Sequence, residues 1–263
     1  MSPTLPPRLQ RPSTGAVLAM IVLGALAVHG LVGTGIDPSR LLLAPERTFR
    51  FLSSAFPPNL ERAPNLASAM LETIEIAVLG TLFGVILSLP AALLAAENTA
   101  PSRLVARLMR AALTTMRSIP DLVWALIFVV SVGLGPLAGI LTMTIDVLAF
   151  AGRFFAERIE EIEPGPIEAL RSTGAARRPV IFGAVVPTAF PSFLGTSMYA
   201  FEKSVRGAVV LGLVGAGGIG VELNVAFQLR RFDTAGTIVL LILATILVIE
   251  RLSSRVRSRL IEG

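Results

Sequence analysis

Residues 212–220 read GLVGAGGIG and set Gly215, Gly217 and Gly220 in the spacing Gly-x-Gly-x-x-Gly. The same spacing opens the dinucleotide-binding turn of Rossmann folds, where glycines let the backbone approach a pyrophosphate. That reading requires a strand before the turn, a helix after it, and an acidic side chain about 20 residues on. Asp233 stands only 13 positions past Gly220. The glycines belong to a longer uncharged run, 207–221, with six glycines in 15 residues. Such a run is too short and too poor in helix formers to cross a bilayer alone.

The surrounding chain decides between the two readings. It is 53% hydrophobic and 16% charged, against about 25% charged residues in soluble domains. Residues 15–36, 76–96, 122–145, 179–201 and 234–249 carry no Asp, Glu, Lys or Arg. A hydrocarbon core about 30 Å thick needs about 20 mostly apolar residues in a helix. The sequence therefore predicts an all-α membrane protein with about six spans, near 15–36, 69–96, 110–134, 137–156, 179–202 and 233–252. A βαβ unit has no place among them. GAGGIG is then an irregular or re-entrant segment between the last two spans, because non-helical backbone at membrane depth survives only where protein or a cavity surrounds it.

Residues 37–65, with Pro57, Pro58 and Pro64, read as a loop outside the bilayer. The expected organisation is an N-terminal segment 1–65 with the first span and this loop, a transmembrane domain 66–256, and a tail 257–263. Ala25-Leu26-Ala27 resembles a signal-peptidase site, but its apolar run is longer than a signal h-region and is read as a retained span. No Cys is present, which excludes disulfides and thiolate sites, and His29 alone cannot build a histidine-based triad or metal cluster. No cofactor, metal or nucleic-acid partner is expected.

Arginines set the orientation. With both termini inside, the inner side carries Arg8, Arg11, Arg103, Arg107, Arg110, Arg153, Arg158, Arg171, Arg177, Arg178, Arg251, Arg255, Arg257 and Arg259. The outer side carries Arg40, Arg47, Arg50, Arg62, Lys203, Arg206, Arg230 and Arg231. The bias predicts cytoplasmic termini and a cytoplasmic loop at 157–178.

That loop, ERIEEIEPGPIEALRSTGAARRP at 157–179, contains a bounded short helix. Pro166 suits its first position, Glu168 its positive end, and Gly174 a left-handed residue just past its close. Ile167 and Leu170 share one face. A helix this short needs a surface to lie on, and a cytoplasmic partner is the expected one.

Glu168-Ala169-Leu170, Gly174 and Pro187 follow the spacing of the coupling motif Glu-Ala-Ala-x-x-x-Gly-(nine residues)-Ile-x-Leu-Pro. Leu170 replaces the second Ala, and Ala184 and Val186 stand for the Ile and Leu. The chain thereby resembles ABC importer permeases. RSIPDLVWALIFV (117–129) and VRGAVVLGLVGAGGIG (205–220) are similar to the phosphonate-type permeases of the methionine-importer-like group, and the resemblance covers roughly 67–256. It implies the type I importer permease fold, a bacterial inner-membrane location and a coupling helix near 165–175. It also implies a second permease copy, identical or paralogous, two ATP-hydrolysing subunits and a soluble binding protein. The chain has no Walker A stretch of its own.

Ionisable residues inside spans are costly and draw functional suspicion. Arg117 falls inside the third span, Asp146 mid-span, and Glu72 and Glu75 at the start of the second. Arg117 and Arg206 could steady an anion in transit, or snorkel, or pair with Asp121, Asp146, Glu72 or Glu202. Gly215, Gly217 and Gly218 are expected near the outer gate or in close helix packing. Rival readings are a permease for methionine or another small solute, an intramembrane enzyme and a scaffold. Asp121 and Asp146 sit in no protease-like motif, and a scaffold does not require the coupling spacing.

Overall fold

The computed structural model describes residues 12–35 and 37–261. Arg8, Arg11, Ile36 and the last two tail residues lie outside them. The chain forms two units, 1–53 and 54–263.

In the first unit, α1 (Thr14–Gly33) is 20 residues long, with Ser13 Oγ accepting from the Ala16 N–H at 3.3 Å. At 1.5 Å per residue it is about 30 Å long, and none of its side chains is buried. A helix apolar on every side and covered on none needs lipid. Next comes α2 (Pro38–Ser54), a helix within the stretch that the sequence predicts to be an external loop. Pro38 takes the first helical position, and the Asp37 carboxylate accepts from the Ser39 N–H at 2.9 Å. Hydrogen bonds from Ser39 hold that carboxyl below its usual range.

The second unit is a helical bundle around α6 (Pro136–Glu160). Its longest contact is with α3 (Ala63–Ala95). Gly80 and Gly84 of α3 admit α6 directly: a β-carbon built on Gly80 would lie 2.3 Å from Met143 Cβ, and one on Gly84 2.5 Å from Val147 Cβ. Small residues at such a stripe let two backbones approach where lipid gives no hydrophobic drive. Around them Phe155, Ile159, Val185 and Phe193 fill one core cluster.

The third expected span is broken. It consists of α4 (Arg103–Ser118) and α5 (Asp121–Val132), bent by 87°. Pro120 has no N–H to continue the ladder and forces Ile119 into extended geometry, φ −87° and ψ 123°. The Trp124 indole donates to the Met116 carbonyl at 3.2 Å and satisfies one acceptor that the break leaves free. Arg117 is therefore in the last turn of α4, beside a bend, and not seven residues inside a continuous helix.

After α7 (Pro164–Ser172) and α8 (Arg177–Val180), a π turn at Ile181–Val185 leads into α9 (Val186–Gly212). The Val186 N–H reaches back to the Ile181 carbonyl, the five-residue step of a π turn, just before Pro187 withdraws its donor. Because α9 runs to Gly212, Lys203 and Arg206 lie within a helix and not in an outer loop. A turn at 213–218, α10 (Ile219–Gln228) and α11 (Phe232–Ile261) complete the unit, and α11 continues through residues read as tail. No strand occurs among the described residues. Five helices are long and apolar enough to cross a membrane, or six with α4–α5 as one broken span.

Candidate functional site

Helix α7 follows α6 through three residues, and the preceding end of α6 is tied down. The Asn98 amide donates to the Ile159 carbonyl at 2.8 Å, the Glu97 N–H to Glu160 at 2.6 Å, and Arg110 pairs with Glu160. Pro164, two residues earlier than expected, takes the first helical position. Glu168 is accordingly outside the first turn, and the macrodipole does little for it. The helix closes as a Schellman motif: the Gly174 N–H donates to the Arg171 carbonyl at 3.0 Å and the Ala175 N–H to the Leu170 carbonyl at 3.4 Å. Gly174 has φ +79°.

The face bearing Ile167 and Leu170 turns inward. Ile167 packs against the core cluster around Phe155, and Leu170 Cδ1 lies 3.5 Å from the β-carbon position of Gly183. This face therefore rests in part on its own chain, with Ile167 and Leu170 half-buried. Glu168, Ala169, Arg171 and Ser172 form the exposed face. Pro187, exposed at the start of α9, lies beyond the π turn.

The glycine turn is a packing device inside this unit. Gly215, Gly217 and Gly218 have φ +89°, +85° and +76°. A turn buried in protein must find partners for its freed backbone groups, and α3 supplies them. The Gly218 N–H donates to Glu72 Oε1 at 3.0 Å, and the Ile219 N–H to Thr73 Oγ1 at 2.8 Å. The Gly215 carbonyl accepts from the Gly135 N–H at 2.9 Å. Glu72 therefore holds the turn, while Glu75 stays exposed on α3.

A charge pair that the sequence reading does not expect forms in the bundle. Lys203 Nζ lies 2.6 and 2.8 Å from the two Asp146 carboxylate oxygens, and Asp146 is only 10% exposed. Reading α9 as ending at 202 hid this pair, because it placed Lys203 in a loop. Arg206 is held by Glu202 at 2.9 Å on its own helix. Arg117 lies over the Phe150 ring, 5.7 Å from its centroid, and Lys203 lies 5.4 Å from the same centroid. Arg117 lines a groove with Phe150 that Arg206 does not line, so the two arginines are not brought together.

Asp146→Asn should destabilise the protein by about 2 kcal/mol, since it removes the carboxylate that Lys203 Nζ contacts directly and leaves Asp121 as the neighbouring one. Asp146→Asn with Lys203→Met should recover most of that loss, measured as thermal unfolding in detergent.

Helices of membrane length around a buried small-residue seam make this a multi-pass membrane protein. A solved inward-facing structure of the MetNI methionine ABC transporter shares the fold, with a TM-score of 0.68 and 22% identity over 77% of this chain and 99% of that one. A family model for the binding-protein-dependent transport system inner membrane component matches residues 88–261, and the chain belongs to that family. The phosphate-import permease of Mycolicibacterium smegmatis is 40% identical over 241 residues, 91% of this chain and 45% of that protein. A phosphite transport system permease of Stutzerimonas stutzeri is 34% identical over 242 residues, 92% of this chain and 86% of that protein. The chain thus spans under half the length of the first relative and most of the second.

Proposed function

We propose that the chain is the transmembrane subunit of an ATP-driven importer for a phosphorus oxyanion, be it phosphonate, phosphite or phosphate. The observation that carries this reading is α7, a capped helix with an exposed Glu168-Ala169 face at the anchored end of α6. Its placement suits docking on a separate ATP-hydrolysing subunit, with Leu170 and Gly174 shaping the helix and Pro187 setting the start of α9. The names of the relatives support the substrate class. Two ATPase subunits, a soluble binding protein and a second permease copy complete the assembly, in the inner membrane of a bacterium.

Reconstitution of that complex in liposomes tests the reading. Uptake of phosphite, phosphate or methylphosphonate should depend on ATP and on the binding protein, and methionine should not be taken up. Methionine uptake without oxyanion uptake would overturn it.

The arginine bias supports cytoplasmic termini and a cytoplasmic α7. Ser172 is exposed on α7, and the chain has no native Cys. Ser172→Cys should stay unmodified when intact cells meet an impermeant thiol reagent, and should react once the cells are opened. Labelling in intact cells would invert the topology.

A further inference from the structure

Three arginines from three helices line one groove of about 1000 Å³ in the second unit. Arg117 comes from the last turn of α4, Arg158 from the last turn of α6, and Arg257 from the distal part of α11. The α9 wall adds Ser192, Thr196 and Tyr199, whose spacing places all three hydroxyls on one helix face. One carboxylate, Glu161, also lines the groove and lies 3.4 Å from Arg158. The lining is therefore net positive. Asp146 and Asp121 do not line it, and Lys203 is already engaged by Asp146. Arg117 rests on Phe150. Arg158 follows Phe150 by eight residues on α6, about 12 Å along the axis. The positive charge thus extends from the α4–α5 bend to the end of α6 that leads into α7.

We propose that this groove is a low-affinity subsite for a phosphorus oxyanion within the permease chain itself. The proposal rests on the importer reading above and adds a place where the chain meets the ion. Guanidinium groups present paired N–H donors that match the oxygens of a tetrahedral oxyanion, and the hydroxyls can donate to the remaining oxygens. A cleft of one sign between low-dielectric walls raises the local concentration of its counter-ion. Because the groove is open and its arginines are at least partly exposed, an anion can enter and leave, as transport requires. A lipid headgroup carries the same phosphate chemistry, and the test separates the two sources.

The test uses the complete complex in phosphatidylcholine liposomes, with Thr196→Cys or, independently, Ser192→Cys as the only thiol of the permease chain. Modification by an anionic and a cationic methanethiosulfonate is followed by the mass of that chain. The anionic-to-cationic rate ratio should exceed that of a free thiol by about tenfold. Arg117→Gln and Arg257→Gln should each lower the ratio. Millimolar phosphate or phosphite should slow the anionic reagent more than chloride of equal ionic strength does. A ratio equal to that of the free thiol, or no access at either position, overturns the subsite. Protection by added phosphatidylglycerol but not by free phosphate also overturns it, in favour of a headgroup site. If phosphite is imported without protection at the cysteines, the subsite alone falls. If phosphate protects while the complex imports methionine instead, the subsite stands and the importer reading falls.

Discussion

Gly220→Ala is expected to abolish accumulation of the folded protein, although it adds a single methyl group. A β-carbon at this position would lie 2.0 Å from the Val209 carbonyl oxygen and 2.8 Å from Gly212 Cα. Both are backbone atoms, so no side chain can rotate away, and α10 would have to move off α9. Overpacking that displaces backbone costs about 1–3 kcal/mol and sometimes more, and here both sides of the contact are main chain. Gly217→Leu should fail in the same way. Its β-carbon would meet Glu72 Oε1 at 2.8 Å and the Pro136 backbone nitrogen at 3.0 Å, at φ +85°. The sequence reading leaves Gly217 near an outer gate or in close helix packing. The burial of the turn against α3 and Pro136 now favours loss of folding. Gly24→Ala is the control, because no atom lies within 4 Å of its β-carbon position. Monodisperse yield in detergent reads the outcome, and wild-type yield for Gly220→Ala would show that α9 and α10 are not in contact through this seam.

Glu168→Arg and Gly174→Val should each lower binding-protein-stimulated ATP hydrolysis by the assembled complex more than tenfold, while the chain still inserts and folds. The two act differently. Glu168 is exposed on α7, so reversing its charge alters only what a docking subunit meets. Gly174 has no atom within 4 Å of its β-carbon position, so a neighbour clash is not the mechanism. Its φ of +79° is, because the left-handed region costs an L-residue about 1–2 kcal/mol and a β-branched one more. Valine would open the Schellman closure and let the last turn of α7 unwind. Gly174→Asn should retain much of the activity, since asparagine tolerates this conformation. Stimulated hydrolysis at the wild-type rate in both Glu168→Arg and Gly174→Val would remove α7 from coupling.

The membrane class, the number of apolar runs and the short helix at 164–172 were legible because each depends on local composition. Length, hydropathy, and the Pro and Gly that bracket α7 act over a few residues and need no partner. Even the break at Pro120 had its signal, since a proline and its extended predecessor end a helix whatever surrounds them. The apolar continuity of 122–145 concealed it, and so Arg117 was placed too deep.

Contacts between distant residues were not legible. The Asp146–Lys203 pair spans 57 positions, and the bonds from Gly218 and Ile219 to Glu72 and Thr73 span 146. The same glycines satisfy the spacing of a phosphate cradle, a gate or a packing seam, because a glycine pattern records where backbone must bend or come close and not what it approaches. By itself the sequence determined that this chain spans a membrane and bears one capped helix between two of its spans. Only the tertiary structure decided which face of that helix is free, what the glycine turn rests on, and which arginines share a groove. Hydropathy and capping are properties of neighbouring residues, whereas a face, a seam and a charged groove exist only after separate helices have packed.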